Sequence, residues 1–284
     1  MFRYSGFGLT IHSELELPDL PPGGPDPDVA ISFGKVPTTK RTVTLQEEFA
    51  VNSHAGTFHI RHGREIVMDP RPDVDYELLR IVLLGRMMAF LMRQRGWLSL
   101  HASGVAMDRG VALFLGASGS GKSTTAAAFH SRGHRVITDD VGAVKIIGQQ
   151  CLVRGSGARI RLLDDSRKAF GAADPPGVFR WDKHTFDLSG ESDGEVPVRV
   201  VCIYLLEYGE EFHLERLPPA HSVISLSGNS FVKRWRMDRA SLQAHLRACT
   251  DVAGIVPVRR VIRPRALDAL PELVRRIEGD CKSL

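Results

Sequence analysis

Residues 111–130 run Val-Ala-Leu-Phe-Leu, then Gly116-Ala-Ser-Gly-Ser-Gly-Lys-Ser123, then Thr-Thr-Ala-Ala-Ala-Phe-His. No other stretch limits the fold so tightly. Five consecutive apolar residues suit a strand buried on both faces of a sheet. The octet that follows fits G-x-x-x-x-G-K-[ST], and the alanine-rich run after it favours a helix packed back on that sheet. The pattern has a mechanism. Glycines at 116, 119 and 121 let successive backbone N–H groups turn inward toward phosphate oxygens. Lys122 supplies an ammonium for the β- and γ-phosphates, Ser123 offers a hydroxyl to Mg²⁺, and the helix start turns its positive dipole end to the same anion. Gly116, Ala117, Ser118, Gly119, Ser120, Gly121, Lys122, Ser123 and Thr124 are therefore the expected triphosphate-binding residues.

The rest of the chain is consistent with an enzyme of ordinary composition. Of 284 residues, 43% are hydrophobic and 25% charged, and 37 basic against 33 acidic residues leave a charge of only +4. That excess is too small for a nucleic-acid-binding surface. Cys151, Cys202, Cys249 and Cys281 are scattered without a C-x-x-C pair, so reduced, buried thiols are expected. The most apolar stretch, Ile81 to Met92, carries Arg86 and is too short to span a bilayer, and the first residues lack a leader-like apolar core. The expectation is a cytoplasmic protein that touches neither nucleic acid nor membrane.

Periodicity divides the chain into a β-rich amino-terminal module, residues 1–72, and an α/β domain, residues 73–284. Phe2–His12 and Val29–Phe33 read as β-rich, and Phe58–His62 with Glu65–Met68 as a hairpin about His62-Gly63-Arg64. Leu17 to Asp28 is a turn-dense loop. Leu78, Leu79, Val82, Leu83, Met87, Phe90 and Leu91 recur at helical spacing and predict a helix from Asp73 to about Arg95. Trp97–Val105 then reads as one strand. Further on, Arg135–Thr138, Val141–Ile147 and Val198–Leu206 read as strands, and helices are expected near 240–249 and 266–278.

Asp139-Asp140 end the strand after the loop helix. Adjacent carboxylates beside a phosphate loop can divide two tasks: one holds Mg²⁺, the other takes the proton of an attacking hydroxyl. His101, on the strand before Val111–Leu115, comes near the same site if those two strands pair.

His101, the loop 116–123, Arg132-Gly-His134 and Asp139-Asp140 together resemble, in order and spacing over residues 100–141, the catalytic domain of the HPr kinase/phosphorylase family. That resemblance implies a P-loop kinase core with a mixed sheet flanked by helices. It implies Asp139 as the base for an acceptor serine, tuned by His101, with Lys122 on the phosphates and Ser123 and Asp140 serving the metal. Tyr4-Ser-Gly-Phe-Gly-Leu9, Ser13-Glu-Leu-Glu-Leu-Pro18 and Arg159-Ile-Arg-Leu162 resemble the branch of that family found with lasso-peptide biosynthesis. The implied partner is a precursor peptide or small protein carrying an acceptor serine, the implied cofactors are ATP and Mg²⁺, and the family suggests a homo-oligomer.

Remaining candidates are weaker. Arg159, Arg161 and Lys183 stand where cations can neutralise a transferring phosphoryl group. Asp164-Asp165 reads as a cap for a short helix, and Arg259, Arg260, Arg263 and Arg265 as a solvated basic face. The expected activity is ATP- and Mg²⁺-dependent serine phosphorylation. The alternatives are action on the phosphocarrier of the sugar phosphotransferase system, phosphorylation of a small-molecule hydroxyl, and nucleotide sensing without an acceptor.

Overall fold

Alternation of buried and exposed residues at the amino terminus resolves into β1 (Phe2–Gly6), β2 (Leu9–Ser13), β3 (Val29–Phe33), β4 (Glu48–Asn52), β5 (Gly56–Arg61) and β6 (Glu65–Pro70). The computed structural model describes residues 1–36, 48–155, 159–162, 184–187, 197–231 and 238–284. The six strands form one mixed sheet in the order β1-β2-β3-β6-β5-β4. The hairpin expected about His62-Gly63 joins β5 to β6, with Arg61 opposite Glu65.

The predicted helix is present but interrupted. It comprises α1 (Tyr76–Val82), a π-helical turn at Leu83–Met87 and α2 (Met88–Gln94). Asp75 caps its start by accepting from the Glu77 N–H at 2.8 Å. The end is closed by the Trp97 N–H bonding Met92 O at 3.0 Å. Leu79, Val82, Leu83, Met87, Phe90 and Leu91 are buried as the spacing predicts, and Met88, Ala89 and Met92 are buried as well. From Val82 onward the helix is largely buried, because its hydrophobic side chains join those of the amino-terminal sheet in one core that also reaches Val141 and Ala143, whereas Tyr76 at its start is exposed.

The second half follows as β7 (Leu98–His101), β8 (Ser103–Met107), β9 (Gly110–Leu115), α3 (Lys122–His130), β10 (Val136–Thr138), β11 (Val141–Ile147) and β12 (Gln150–Arg154). After these come β13 (Arg159–Leu162), β14 (His184–Asp187), β15 (Val198–Tyr208), β16 (His213–Arg216), α4 (Pro219–Gly228), α5 (Arg239–Ile255), β17 (Val258–Arg263) and α6 (Leu270–Lys282). The single strand expected over Trp97–Val105 is two, separated at Ala102. β7 pairs with β11, whereas β8 pairs with β9 and β10. The strand path is β10-β8-β9-β15-β12-β11-β7, with β17 added parallel to β15. Among the described residues the architecture is mixed α/β. The short helix expected after Asp164-Asp165 lies outside them.

Helices cover both faces of this sheet. One core joins Phe114, Cys202, Tyr204 and Leu206 to the loop helix and α6, through Ala126, Phe129, Leu273 and Ile277. The other joins Leu113, Val153 and Ile203 to Leu226 of α4 and Cys249 and Val252 of α5. The four cysteines are unpaired and buried, and burial alone pushes the Cys151 thiol up to about 12. Among the described residues no helix is long and apolar enough to cross a membrane.

Phe129 anchors the loop helix, stacking at 5.5 Å on Phe114 with no exposed surface. Phe129→Ala should cost ~3–5 kcal/mol of stability, read by equilibrium denaturation; a loss below ~1 kcal/mol would mean that the site can collapse around the missing ring.

Candidate active site

The loop, the paired aspartates and His101 meet at one bend in the sheet. β7 and β8 follow one another in the chain, as do β10 and β11, and the two pairs run antiparallel. His101 lies opposite Val141 on one side of the bend, and Gly104 opposite Thr138 on the other. Ala102-Ser103 therefore face Asp140-Asp139 across the gap, and the Ala102 N–H donates to Asp140 O at 3.3 Å. Asp140 takes φ 84°, a left-handed conformation that Asp and Asn tolerate better than most residues. Strain of this kind costs of order 1–3 kcal/mol and concentrates at functional sites.

The two carboxylates differ in surroundings. Asp139 is 8% exposed, and its Oδ1 accepts from Ser103 Oγ at 2.5 Å and from Ser123 Oγ at 2.9 Å. The aspartate thus lies against the loop hydroxyl that the sequence assigns to a metal. Asp140 stands nearer solvent, its side chain 30% exposed, with Oδ1 2.9 Å from His101 Nδ1. The sequence places His101 as the partner of Asp139; the structure pairs it with Asp140. The reason is topological: β7 pairs with β11, which begins immediately after Asp140, and β8, not β7, adjoins β9.

Loop geometry explains its glycines. Gly116 has φ 149°, and a β-carbon there would sit 2.4 Å from Ser120 Oγ and 2.7 Å from Leu206 O. Gly121 caps the loop helix with φ 85°, and a β-carbon would meet the Arg263 guanidinium at 2.3 Å. Lys122 is buried and donates to Gly116 O at 2.9 Å and Ala117 O at 3.1 Å, so its ammonium lies inside the ring of the loop. Ala117, Ser118 and Gly119 are exposed, which leaves the outer rim open to a ligand. The oxygen donors gathered here, the Ser123 hydroxyl and two carboxylates, are hard ligands of the kind Mg²⁺ takes alongside phosphate oxygens and water. The inward-turned loop with a lysine beside them suits a triphosphate, so the residues present fit both groups.

Four further residues complete the site, and the sequence reading missed their roles. Strands β9, β15 and β17 are parallel, and β15 and β17 run past Leu115, so that Tyr208 pairs with Arg263 beside the loop. Tyr208 donates its hydroxyl to Gly119 O at 3.2 Å, and Arg263 donates to Ser120 O at 3.3 Å. Arg263 is 3% exposed, with its guanidinium 4.8 Å from the Tyr208 ring centre. Burial pulls its pKa down, opposed by Tyr208, but an arginine keeps its charge. The expected basic face is thus not one: Arg263 is buried under the loop, Arg259 pairs with Asp280 at 2.9 Å, and Arg260 pairs with Glu215. Gly85, in the π-helical turn, lets that helix approach so closely that a β-carbon would stand 2.9 Å from Asp140 Oδ2. Asn229, after α4, accepts from the Gly116 N–H at 3.0 Å. Nothing in the sequence around it signals that contact: it directly follows Leu226-Ser-Gly228, the last residues of α4. Lys183 and the side chains of Arg159 and Arg161 lie outside the described residues.

The chain is similar to the structure of the Hpr(Ser) kinase/phosphatase from Coxiella burnetii, at 16% identity and a TM-score of 0.32, over 65% of this chain and 98% of that one. No protein-family model and no curated protein matches the chain. A likeness at that level carries no argument about activity, which has to come from the geometry of the site.

Gly121→Ala tests the loop. The new methyl group must displace Arg263 and hold a left-handed φ, so Mg²⁺–nucleotide affinity should fall at least about tenfold while circular dichroism stays native. An unchanged Kd would show that Arg263 yields freely and does not brace the loop.

Proposed function

We propose that the protein is an ATP- and Mg²⁺-dependent kinase that transfers the γ-phosphoryl group to a serine hydroxyl of a peptide or small protein. The observation that carries the reading is the convergence of Ser123 on Asp139, with the His101–Asp140 pair at the adjacent position. A nucleotide-binding loop with one nearby carboxylate serves hydrolysis or switching equally well. A second carboxylate, nearer solvent and backed by an imidazole, is what a hydroxyl acceptor needs.

The contacts favour dividing the two aspartates the other way round from the sequence expectation. Asp139, sharing its oxygen with Ser123, is the carboxylate suited to hold magnesium, as a buried aspartate does beside other phosphate loops. Asp140 is suited to receive the acceptor proton. His101 donates from Nδ1 to Asp140, which orients the carboxylate. Mg²⁺, when bound, would offset charge on the β- and γ-phosphate oxygens. The loop N–H groups bind the phosphates, and Lys122 turns its ammonium from the loop carbonyls to the phosphate oxygens. The hydroxyl loses its proton to Asp140 as its oxygen forms a bond to the γ-phosphorus, and the bond from that phosphorus to the β–γ bridging oxygen breaks. Positioning and charge stabilisation supply the rate in such a reaction.

A lasso-peptide precursor is the favoured acceptor, on the resemblance of Tyr4–Leu9, Ser13–Pro18 and Arg159–Leu162 to that branch. A soluble peptide acceptor and an ATP requirement also favour a cytoplasmic setting, and the family resemblance favours a homo-oligomer.

Asp140→Asn should reduce phosphopeptide formation about 10²–10⁴-fold, measured by mass spectrometry, with Mg²⁺–ATP affinity within about threefold of wild type. Asp139→Asn should weaken Mg²⁺-dependent nucleotide binding and turnover together, measured by calorimetry with and without the metal. If Asp140→Asn transfers normally and Asp139→Asn binds normally but does not transfer, the base role returns to Asp139. Normal transfer by both variants would remove the kinase mechanism.

A further inference from the structure

The segment after α4 is not a passive connection. Asn229 bonds three elements at once. Its Oδ1 accepts from the Gly116 N–H at 3.0 Å, its Nδ2 donates to Ser225 O at 2.9 Å, and its carbonyl accepts from the His101 N–H at 2.7 Å. The next residues extend the same contact: Ser230 forms an antiparallel bridge with Leu100, and the Phe231 N–H donates to Ser99 O at 3.1 Å. The Phe231 ring stands edge-on to His101 at 5.5 Å. Behind the segment, the buried His245 of α5 lies within 3.3 Å of Ser227 Oγ and 3.4 Å of Ser230 Oγ, which fixes its path.

Gly116 begins the nucleotide loop, and His101 supports the acceptor-side carboxylate. Gly116 directly follows β9 and His101 ends β7, two strands that are not paired with each other. Asn229 spans that gap with one side-chain bond and one main-chain bond. The Gly116 N–H is half-buried at a point where no regular ladder reaches it, so losing its acceptor leaves a polar group unsatisfied and frees the loop entrance.

Resting on the kinase reading above, we propose that Asn229 is a positioning residue that holds the nucleotide loop in register with the His101–Asp140 pair. Its side chain aligns the phosphate donor, and its main chain aligns the acceptor base. A one-ångström drift between the two halves is costly in an in-line transfer, which is why a single residue joined to both is effective. Substituting the side chain removes only the loop bond and leaves the strand contact in place, so the coupling can be tested without dismantling the sheet.

The test uses the full chain with MgATP and follows slow ATP hydrolysis, which needs no peptide acceptor. Asn229→Ala should weaken MgATP affinity about tenfold and lower kcat by about a further tenfold, with a melting temperature near wild type. Asn229→Asp keeps an acceptor for the Gly116 N–H, so its kcat should return to within about threefold of wild type, while its affinity stays weak because a carboxylate now repels the triphosphate. Unaltered Kd and kcat in Asn229→Ala would overturn the proposal. So would a lowered melting temperature with normal constants per folded molecule, or an Asn229→Asp variant whose kcat is no better than that of alanine. Wild-type protein that binds no MgATP would overturn both this proposal and the kinase reading; normal wild-type binding with an indifferent Asn229→Ala would remove the coupling role alone.

Discussion

The site depends on two antiparallel ladders, β7–β11 and β8–β10, that meet at a bend. His101 pairs with Val141 before the bend and Gly104 with Thr138 after it, so Ala102 and Ser103 face Asp140 and Asp139 across the bend. The break is bridged by one main-chain and one side-chain bond: the Ala102 N–H donates to Asp140 O, and the Ser103 hydroxyl donates to the Asp139 carboxylate. The bend turns the two carboxylates toward different neighbours. One is drawn in toward the loop serine, while the other is left toward solvent with an imidazole beside it.

A second constraint comes from the parallel strands β9, β15 and β17. Parallel strands present all their carboxyl ends on one edge, and ligands of open α/β sheets bind in the crevice beyond that edge. The phosphate loop leaves β9 there. Because β15 and β17 extend further, Tyr208 and Arg263 form a wall against Gly119 and Ser120. The buried Arg263 guanidinium adds a fixed positive charge under the loop. The π-helical turn approaches Asp140 through Gly85. The amino-terminal hairpin also touches the second half of the chain, since Arg154 donates to Gly8 O at 2.9 Å.

Much of this was legible in the sequence. The loop octet, its flanking strand and helix, and the hairpin about His62-Gly63 are all written in contiguous residues whose conformations follow from local chemistry. The helix from Asp73 was legible from its apolar spacing, but its π-helical turn was not. Nothing in Leu83-Leu-Gly-Arg-Met87 marks a widened turn, and only the close approach to Asp140 gives Gly85 a reason to be there. Trp97–Val105 read as one strand because its apolar pattern is unbroken. The change of partner at Ala102 is a property of the sheet, invisible to periodicity. Likewise the arginines near 260 read as a solvated face, since spacing alone cannot show that one of four lies beneath a loop formed more than a hundred residues earlier.

What the sequence determined by itself is the loop octet with its lysine and serine, and the presence of two adjacent carboxylates after it, because the order and spacing of neighbouring residues are fixed by the chain alone. Which carboxylate meets the serine and which meets His101 was decided only by tertiary structure. The chain turns between Thr138 and Val141, so each carboxylate takes the neighbours that the flanking strand pairs bring to it. Those pairs join strands far apart in the chain, and Asn229, 113 residues beyond Gly116, bonds both Gly116 and His101.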